Sequence, residues 1–528
     1  MKRTCGRGGA TTLFLGVLLL GALVGAAPAQ AQSTAAADLP QDPALRSGTL
    51  DNGLRYAVIR SAAPKGSVSI RFAVDVGSYE EAESERGLAH FVEHMAFRAT
   101  THFEEGRLEH DLAELGVAAG RDHNAFTQMF STFYQLDLPD GDAARLGLAF
   151  RWLRDVADGV VFAPEAVERE RGVVLAEKEA RNSNDQVAED AITRFQGPEL
   201  RSTARAPIGL EAVLRRASAE DLRRFHDRWY RPEHAVVAMA GDLPVEVMEG
   251  WIKGAFETWK TAGPLPARAS RAAPDPRRGV DALTLPDAGL SDRLDVCRLR
   301  PGGPVGALSL ADRRAADLQD LWVTILNARL AARADHDPTL LDGQASIYGA
   351  ARDAAATCLE IAPKGQAWAG ALAAAEAEFR RLRQDGPTET ELEAALEVRR
   401  ATLRGGISVV STETANDLAD EILQTLLTRA VFVEPRQLLR AYGVEMENVT
   451  PEDVRLAAVR DWAGSGPLID AQGEAPPARA ALIDAWRQAE AAPALAAFQD
   501  PPTPTWAYED FGRGRVGSAA RRARISCA

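Results

Sequence analysis

Short apolar or alternating runs and longer stretches of helical periodicity follow one another along this chain. Leu50-Asp51-Asn52-Gly53 is a hairpin-type turn signal, and Leu54 to Ile59 and Val68 to Val76 after it predict two strands. Leu88, Phe91, Val92, Met95 and Phe97 supply the apolar face of a short buried helix, entered through the polar, turn-compatible Ser84-Glu85-Arg86-Gly87. Glu165 to Glu179 reads as a second helix, dense in carboxylates, with Val173 and Val174 packing beside them. Arg201 to Gly209 is a loop, Ala219 to Trp229 a helix, and Tyr230 to Asp242 a turn, a buried strand and a turn. Strands mixed with long helices argue an α+β sandwich.

Residues 263–279, rich in proline, arginine and small residues, break this pattern and predict a linker. Leu318 to Ala332 and Ala367 to Leu382 then return to helical spacing, and Thr388 with Glu391 forms a capping-box start for a helix ending near Gly405-Gly406. After Ala471 the chain turns to prolines and terminal arginines, which predicts a helix between loops and a disordered basic tail over 471–528. The expected organisation is therefore a first domain over 45–262, the linker, and a second domain over 280–470. A length of 528 residues is more than one compact core normally uses.

The formal net charge of −14 disfavours a nucleic-acid partner. Lys2, Arg3 and Arg7, the apolar run Leu13 to Val24 and the small-residue site Ala29-Gln30-Ala31 together describe a secretory signal peptide over 1–31. Its apolar run is shorter than the roughly twenty residues a spanning helix needs, and no later segment is apolar enough. A periplasmic or secreted chain with no stable membrane span is expected. Cys297, Cys358 and Cys527 remain after the leader, too few for a disulfide scaffold or a cysteine-ligated zinc. A Cys297–Cys358 bridge suits an oxidising compartment, and two buried thiols suit the sequence as well.

The candidate chemistry lies in His90-Phe91-Val92-Glu93-His94, which uses two of only eight histidines. On a helix, positions i and i+4 lie one above the other and i+3 beside them, so both imidazoles can reach one metal ion while Glu93 accepts a proton from a water. A hydrogen-bonded surface pair is the plain alternative. Two neutral imidazoles hold zinc weakly, so a third ligand is required. Glu170 and Glu177, two helical turns apart on one face, are both candidates, against the alternative of a solvated acidic helix.

Gly87-Leu88-Ala89-His90-Phe91-Val92-Glu93-His94-Met95, then Asn124-Ala125-Phe126-Thr127 followed by Tyr134, then Glu168-Arg169-Glu170-Arg171 running to Glu177, resembles the pitrilysin/insulinase family of inverted-motif zinc peptidases. The resemblance implies one Zn²⁺ held by His90, His94 and Glu177, Glu93 as general base, and Glu170 orienting a ligand. Glu177 lies a few residues further from His94 than is usual in the family, which implies a small insertion around Leu136 to Gly141 and keeps Glu170 as the alternative ligand. Asn124 and Ala125 would meet a peptide added as a strand to an exposed sheet edge. His123, as a lone histidine, reads as structural or exposed.

The resemblance also implies two tandem, duplicated α/β sandwich domains forming half of a clamshell, the second metal-free; that half contains only His336. The implied activity is endopeptidase cleavage of unstructured peptides by a metal-activated water. The alternative is a non-catalytic or partner-dependent peptide-binding half, completed by a second half-clamshell chain or by self-association.

Overall fold

The structure, a computed structural model, describes residues 39–500 apart from 262, 304, 305, 307, 308, 349–351 and 411. The signal peptide read at 1–31 and the basic tail from 501 onward lie outside the described residues.

The first half runs through β1 (Arg46–Thr49), β2 (Arg55–Arg60), β3 (Val68–Val74), α1 (Leu88–Met95), β4 (Ala99–Thr100), α2 (Arg107–Glu114), β5 (His123–Thr127), β6 (Thr132–Leu138), α3 (Ala143–Asp158), β7 (Val160–Val161), α4 (Pro164–Ala180), α5 (Asn184–Gln196), α6 (Glu211–Arg216), α7 (Ala219–Trp229), β8 (Ala235–Gly241) and α8 (Val245–Phe256). The second half continues through β9 (Asp281–Pro286), β10 (Arg293–Pro301), α9 (Leu310–Ala334), β11 (Leu340–Tyr348), β12 (Ala354–Pro363), α10 (Trp368–Asp385), α11 (Glu389–Val409), α12 (Ala415–Thr428), α13 (Pro435–Glu445), α14 (Pro451–Asp461), β13 (Ser465–Gly473) and α15 (Arg479–Ala491).

The two halves repeat one topology. The first sheet has the order β1-β2-β8-β3-β6-β5 and the second β11-β12-β10-β13-β9. In the first, β2 and β8 are parallel and the other pairs antiparallel; in the second, the parallel pair is β13 with β9. Matching β2, β8, β3, β6 and β5 to β9, β13, β10, β12 and β11 therefore reproduces both order and direction. Each half has its own core, the first including Phe72, Phe91, Trp152 and Trp259, the second Trp322, Phe379, Trp462 and Trp486.

Each sheet also borrows a helix from the other half. Central strands such as β3 and β8 are buried on both faces, which is why they read as continuous apolar runs. The face of the first sheet turned away from its own helices is covered by α12, whose Ala419, Ile422 and Leu423 pack with Ala57, Ala73, Val236 and Ala238. Arg71, fully buried on β3, ties this helix down through Asp420 at 2.6 Å and Asn416 at 2.8 Å, and also pairs with Asp137 at 2.9 Å. In return, Phe195 and Leu200 pack with Cys297, Leu299, Cys358 and Leu468 on the second sheet, and Gln196 of α5 donates to Asp470 at 3.2 Å. Cys297 and Cys358 face each other across β10 and β12 and are joined as a disulfide.

One local reading changes. Ile469 and Ala471 of β13 and Leu482, Ile483 and Trp486 of α15 belong to the second core, so the chain just past 470 completes that half. Around Leu136 to Gly141 the turn is short: β6 ends at Leu138, and Asp142 then caps α3 by accepting from Ala144 N at 2.8 Å.

Candidate active site

Helix α1 starts without a capping side chain of its own. Gly87 sits at its N-cap with φ 105°, a left-handed conformation that glycine adopts freely. Its backbone crowds the loop before α6: a Cβ at Gly87 would meet Gly209 Cα at 3.1 Å. The exposed amides are met from a distance by Glu81, whose carboxylate accepts from Gly87 N at 2.9 Å and Ala89 N at 2.8 Å. Glu81 is fully buried, and burial pushes its carboxyl up to about 8 against those two hydrogen bonds.

With α1 so placed, its inner face presents His90, Glu93 and His94 to α4, which carries Glu170 and Glu177. His90 Nε2 and His94 Nε2 are 3.2 Å apart, and Glu177 Oε2 lies 3.5 Å from the first and 3.4 Å from the second. A tetrahedral zinc with bonds of roughly 2.0–2.2 Å has ligand–ligand edges of about 3.3–3.6 Å. The triangle has the size that ion requires, and these three residues are one of two groups among the described residues that bring such atoms together. The other, His110, Asp111 and Glu114, lies on the surface of α2.

The hydrogen bonding suits a cation too. Glu170 Oε1 accepts from His94 Nδ1 at 2.7 Å, which leaves the Nε2 lone pair facing the triangle. Burial disfavours a charged His94, but the hydrogen bond to Glu170 and the surrounding carboxylates outweigh it and raise its pKa. Burial and the neighbouring His94 depress His90 to about 4, so its ring is neutral. Glu170, only 3% exposed, is held from its other side by Arg98, and Glu177 is paired with Arg181. Glu170 thus reaches the triangle through His94, and Glu177 points into it.

Glu93 stands beside this group. Thr127 Oγ1 donates to its Oε2 at 2.8 Å and the Thr127 backbone N–H donates as well. Burial raises the pKa of Glu93 against the pull of His94 and Thr127, which suits a group that takes up and releases a proton.

Strand β5 is the edge of its sheet, paired only with β6. The hairpin bond from Gln128 N to Ser131 O turns even-numbered backbone groups toward β6. Ala125 therefore faces the open edge, and its N–H is met only by the Asn124 side chain at 2.9 Å. Sequence reasoning placed Asn124 and Ala125 here but missed the roles of Thr127, Arg98, Arg181 and Glu81. Thr127 was the most legible of these, two residues beyond Ala125 and so on the same side of the strand. A cavity of about 650 Å³ joins the triangle, Glu93 and the β5 edge.

Residues 56–201 match the family model described as Insulinase (Peptidase family M16), and residues 216–289 match the Peptidase M16 inactive domain. Over 206 residues the chain is 35% identical to the probable zinc protease PqqL of Haemophilus influenzae, a stretch covering 39% of this chain and 22% of that protein. Over 232 residues it is 33% identical to the probable zinc protease PqqL of Escherichia coli, covering 44% and 24%. The crystal structure of the first half of the periplasmic protease PqqL from E. coli superposes with a TM-score of 0.80 at 23% identity, covering 88% of this chain and 100% of that one. Against the whole E. coli protein the TM-score is 0.78, with 88% of this chain and 52% of the other covered. The chain thus spans about half the length of that relative. Residues 56–201 and 216–289 are thus domains of the insulinase family, peptidase family M16, and the described residues have the fold of one half of that family's clamshell.

Proposed function

We propose that this chain is a zinc-dependent endopeptidase that hydrolyses unstructured peptides. The observation that carries the reading is the triangle of His90 Nε2, His94 Nε2 and Glu177 Oε2 with Glu93 beside it. These three residues would hold the metal. Zinc bound there supplies Lewis acidity, which polarises a carbonyl and makes a water easier to deprotonate.

The chain's own groups do the rest. Ala125 offers its outward N–H and C=O to a peptide backbone, so an extended segment adds to β5 without any required side chain, and Asn124 lies beside it to release or share its hydrogen bond. Glu93, oriented by Thr127, takes the proton of the attacking water and returns it to the departing amine. Glu170 keeps the His94 proton on Nδ1 and the ring aimed.

Incubating the zinc-loaded chain with a quenched fluorescent peptide tests this directly. Cleavage that stops on chelation, returns with zinc and is lost in Glu93→Gln with zinc still bound supports the reading. Cleavage by the Glu93→Gln protein at the native rate overturns it.

A second reading rests on coverage: the chain matches the whole of a first half and 52% of an intact two-half relative. On that reading the site binds peptide and turns over only when a second half-clamshell, from a partner chain or a second copy, closes over it. Among the described residues no helix is long and apolar enough to cross a membrane. The leader pattern, the disulfide and the periplasmic relative support a periplasmic or secreted setting.

A further inference from the structure

The tip of the β5–β6 hairpin is held from both halves of the molecule. Its turn closes through Gln128 N–H to Ser131 O at 2.8 Å, and it lies against the loop that follows β3. There Ser78 N–H donates to Gln128 O at 3.3 Å and Tyr79 N–H donates to Met129 O at 2.8 Å. Gly77 permits that approach, since a Cβ on it would fall 2.0 Å from Gln128 O. Tyr79 is itself fixed: it is 2% exposed, its carbonyl accepts from Arg201 Nε at 2.5 Å, and its ring lies 5.0 Å from that of Phe130 in the turn.

In the repeated topology the connection between β11 and β12 is the counterpart of this turn, and the two meet. Arg352, at the β12 end of that connection, places its guanidinium carbon 4.9 Å from the centre of the Phe130 ring and pairs with Asp75, the residue after β3. Asp353 beside it, 1% exposed, accepts from Ser202 N at 2.9 Å. A guanidinium can do both things at once, because its flat face stacks on a ring while its edge bonds a carboxylate. The halves do not depend on Arg352 to stay together, being joined already by α12 on the first sheet and by Phe195 and Leu200 on the second. Its contacts fall instead on the hairpin whose first strand carries Thr127, the donor to Glu93, and Ala125, at the open edge.

An edge strand has a sheet neighbour on one side alone, so its order depends on what holds its ends. A peptide added to it gains backbone hydrogen bonds only along a strand already in place, and a strand ordered beforehand therefore binds more tightly. We propose that Arg352 is a positioning residue for the peptide-receiving edge: acting through Phe130, the metal-free half holds the β5–β6 hairpin, and with it β5, ready for an added strand. The proposal rests on β5 receiving the peptide, as in the function proposed above.

Two readouts on the full zinc-loaded chain test it. Hydrogen exchange needs no peptide: in Arg352→Ala the amides of Tyr79 and Gln128, both bonded at the hairpin tip, should exchange about tenfold faster while zinc affinity stays at the wild-type value. Steady-state cleavage of the quenched fluorescent peptide should show KM raised about tenfold with kcat changed less than about twofold. In a Phe130→Leu background, Arg352→Ala should add less than about twofold to KM, because the two side chains act as one unit. Unchanged exchange at Tyr79 and Gln128 overturns the proposal. So does full additivity with Phe130→Leu, or a loss of zinc affinity parallel to the rise in KM, which would mark general loosening. A wild-type chain that neither binds nor cleaves the peptide, with exchange responding as expected, would defeat the peptide reading of β5 and leave the clamp on the hairpin standing.

Discussion

Replacing Glu170 with glutamine separates the metal's direct ligands from the residue that aims one of them. Glu170→Gln keeps the shape of the side chain and removes its charge. In the wild-type protein that carboxylate accepts from His94 Nδ1 at 2.7 Å and pairs with Arg98, while being 3% exposed. Losing such a partner typically lowers metal affinity by about 10–100-fold, or roughly 1.4–2.8 kcal/mol. The pH dependence follows from the direction of the His94 shift. Because Glu170 raises the His94 pKa, a proton competes with metal at His94 as pH falls. Glutamine weakens that competition, so the affinity deficit should be largest at pH 8 and smaller near pH 6. Zinc affinity measured by competition with a chromophoric chelator reads both effects, with the exposed Glu168→Gln on the same helix as control. Wild-type affinity in Glu170→Gln at pH 8 would refute the argument that this carboxylate governs His94.

Thr127→Val removes the hydroxyl donor to Glu93 and should lower kcat about tenfold with KM little changed, checked by steady-state cleavage of a fixed peptide. The joint between the halves should be pH-sensitive. Burial, opposed by Arg293 and helped by Glu360 and Glu189, pushes Asp295 up to about 7, and burial raises Asp470 opposite it on β13 well above its ordinary value too. A carboxyl whose pKa is raised on folding favours the folded state only while protonated, so urea stability should fall as pH rises from about 4 through 7. Asp295→Asn should flatten that slope; an unchanged slope contradicts the assignment.

Much of this architecture was readable because burial imposes periodicity. The continuous apolar run at Ala235 to Gly241 and the spacing around Leu88 to Met95 mark elements whose environment is uniform along their length. Part of the metal triangle was legible for a similar reason: helix geometry puts His90 and His94 on one face and leaves Glu170 and Glu177, two turns apart, as candidates, between which only the family resemblance chose. What stayed hidden depends on long-range pairing. Glu81 caps α1 from outside the helix, a contact no local spacing announces. Arg98 reads as an ordinary surface cation until α4 brings Glu170 to it. The exchange of α5 and α12 between the halves was equally invisible, since each looks like an ordinary amphipathic helix of its own domain. The helix expected after 471 is α15, and its Leu482, Ile483 and Trp486 share one face buried in the second core, a docking that the prolines around it do not announce.

The central claim is that two imidazoles from α1 and one carboxylate from α4 hold a single ion. Anomalous difference density at the zinc edge, from crystals of the zinc-loaded chain, tests it most directly. One peak at roughly 2.0–2.2 Å from His90 Nε2, His94 Nε2 and Glu177 Oε2 is the predicted result. A peak at the surface group His110, Asp111 and Glu114 instead, or a zinc at α1 from which Glu177 is turned away, would contradict it.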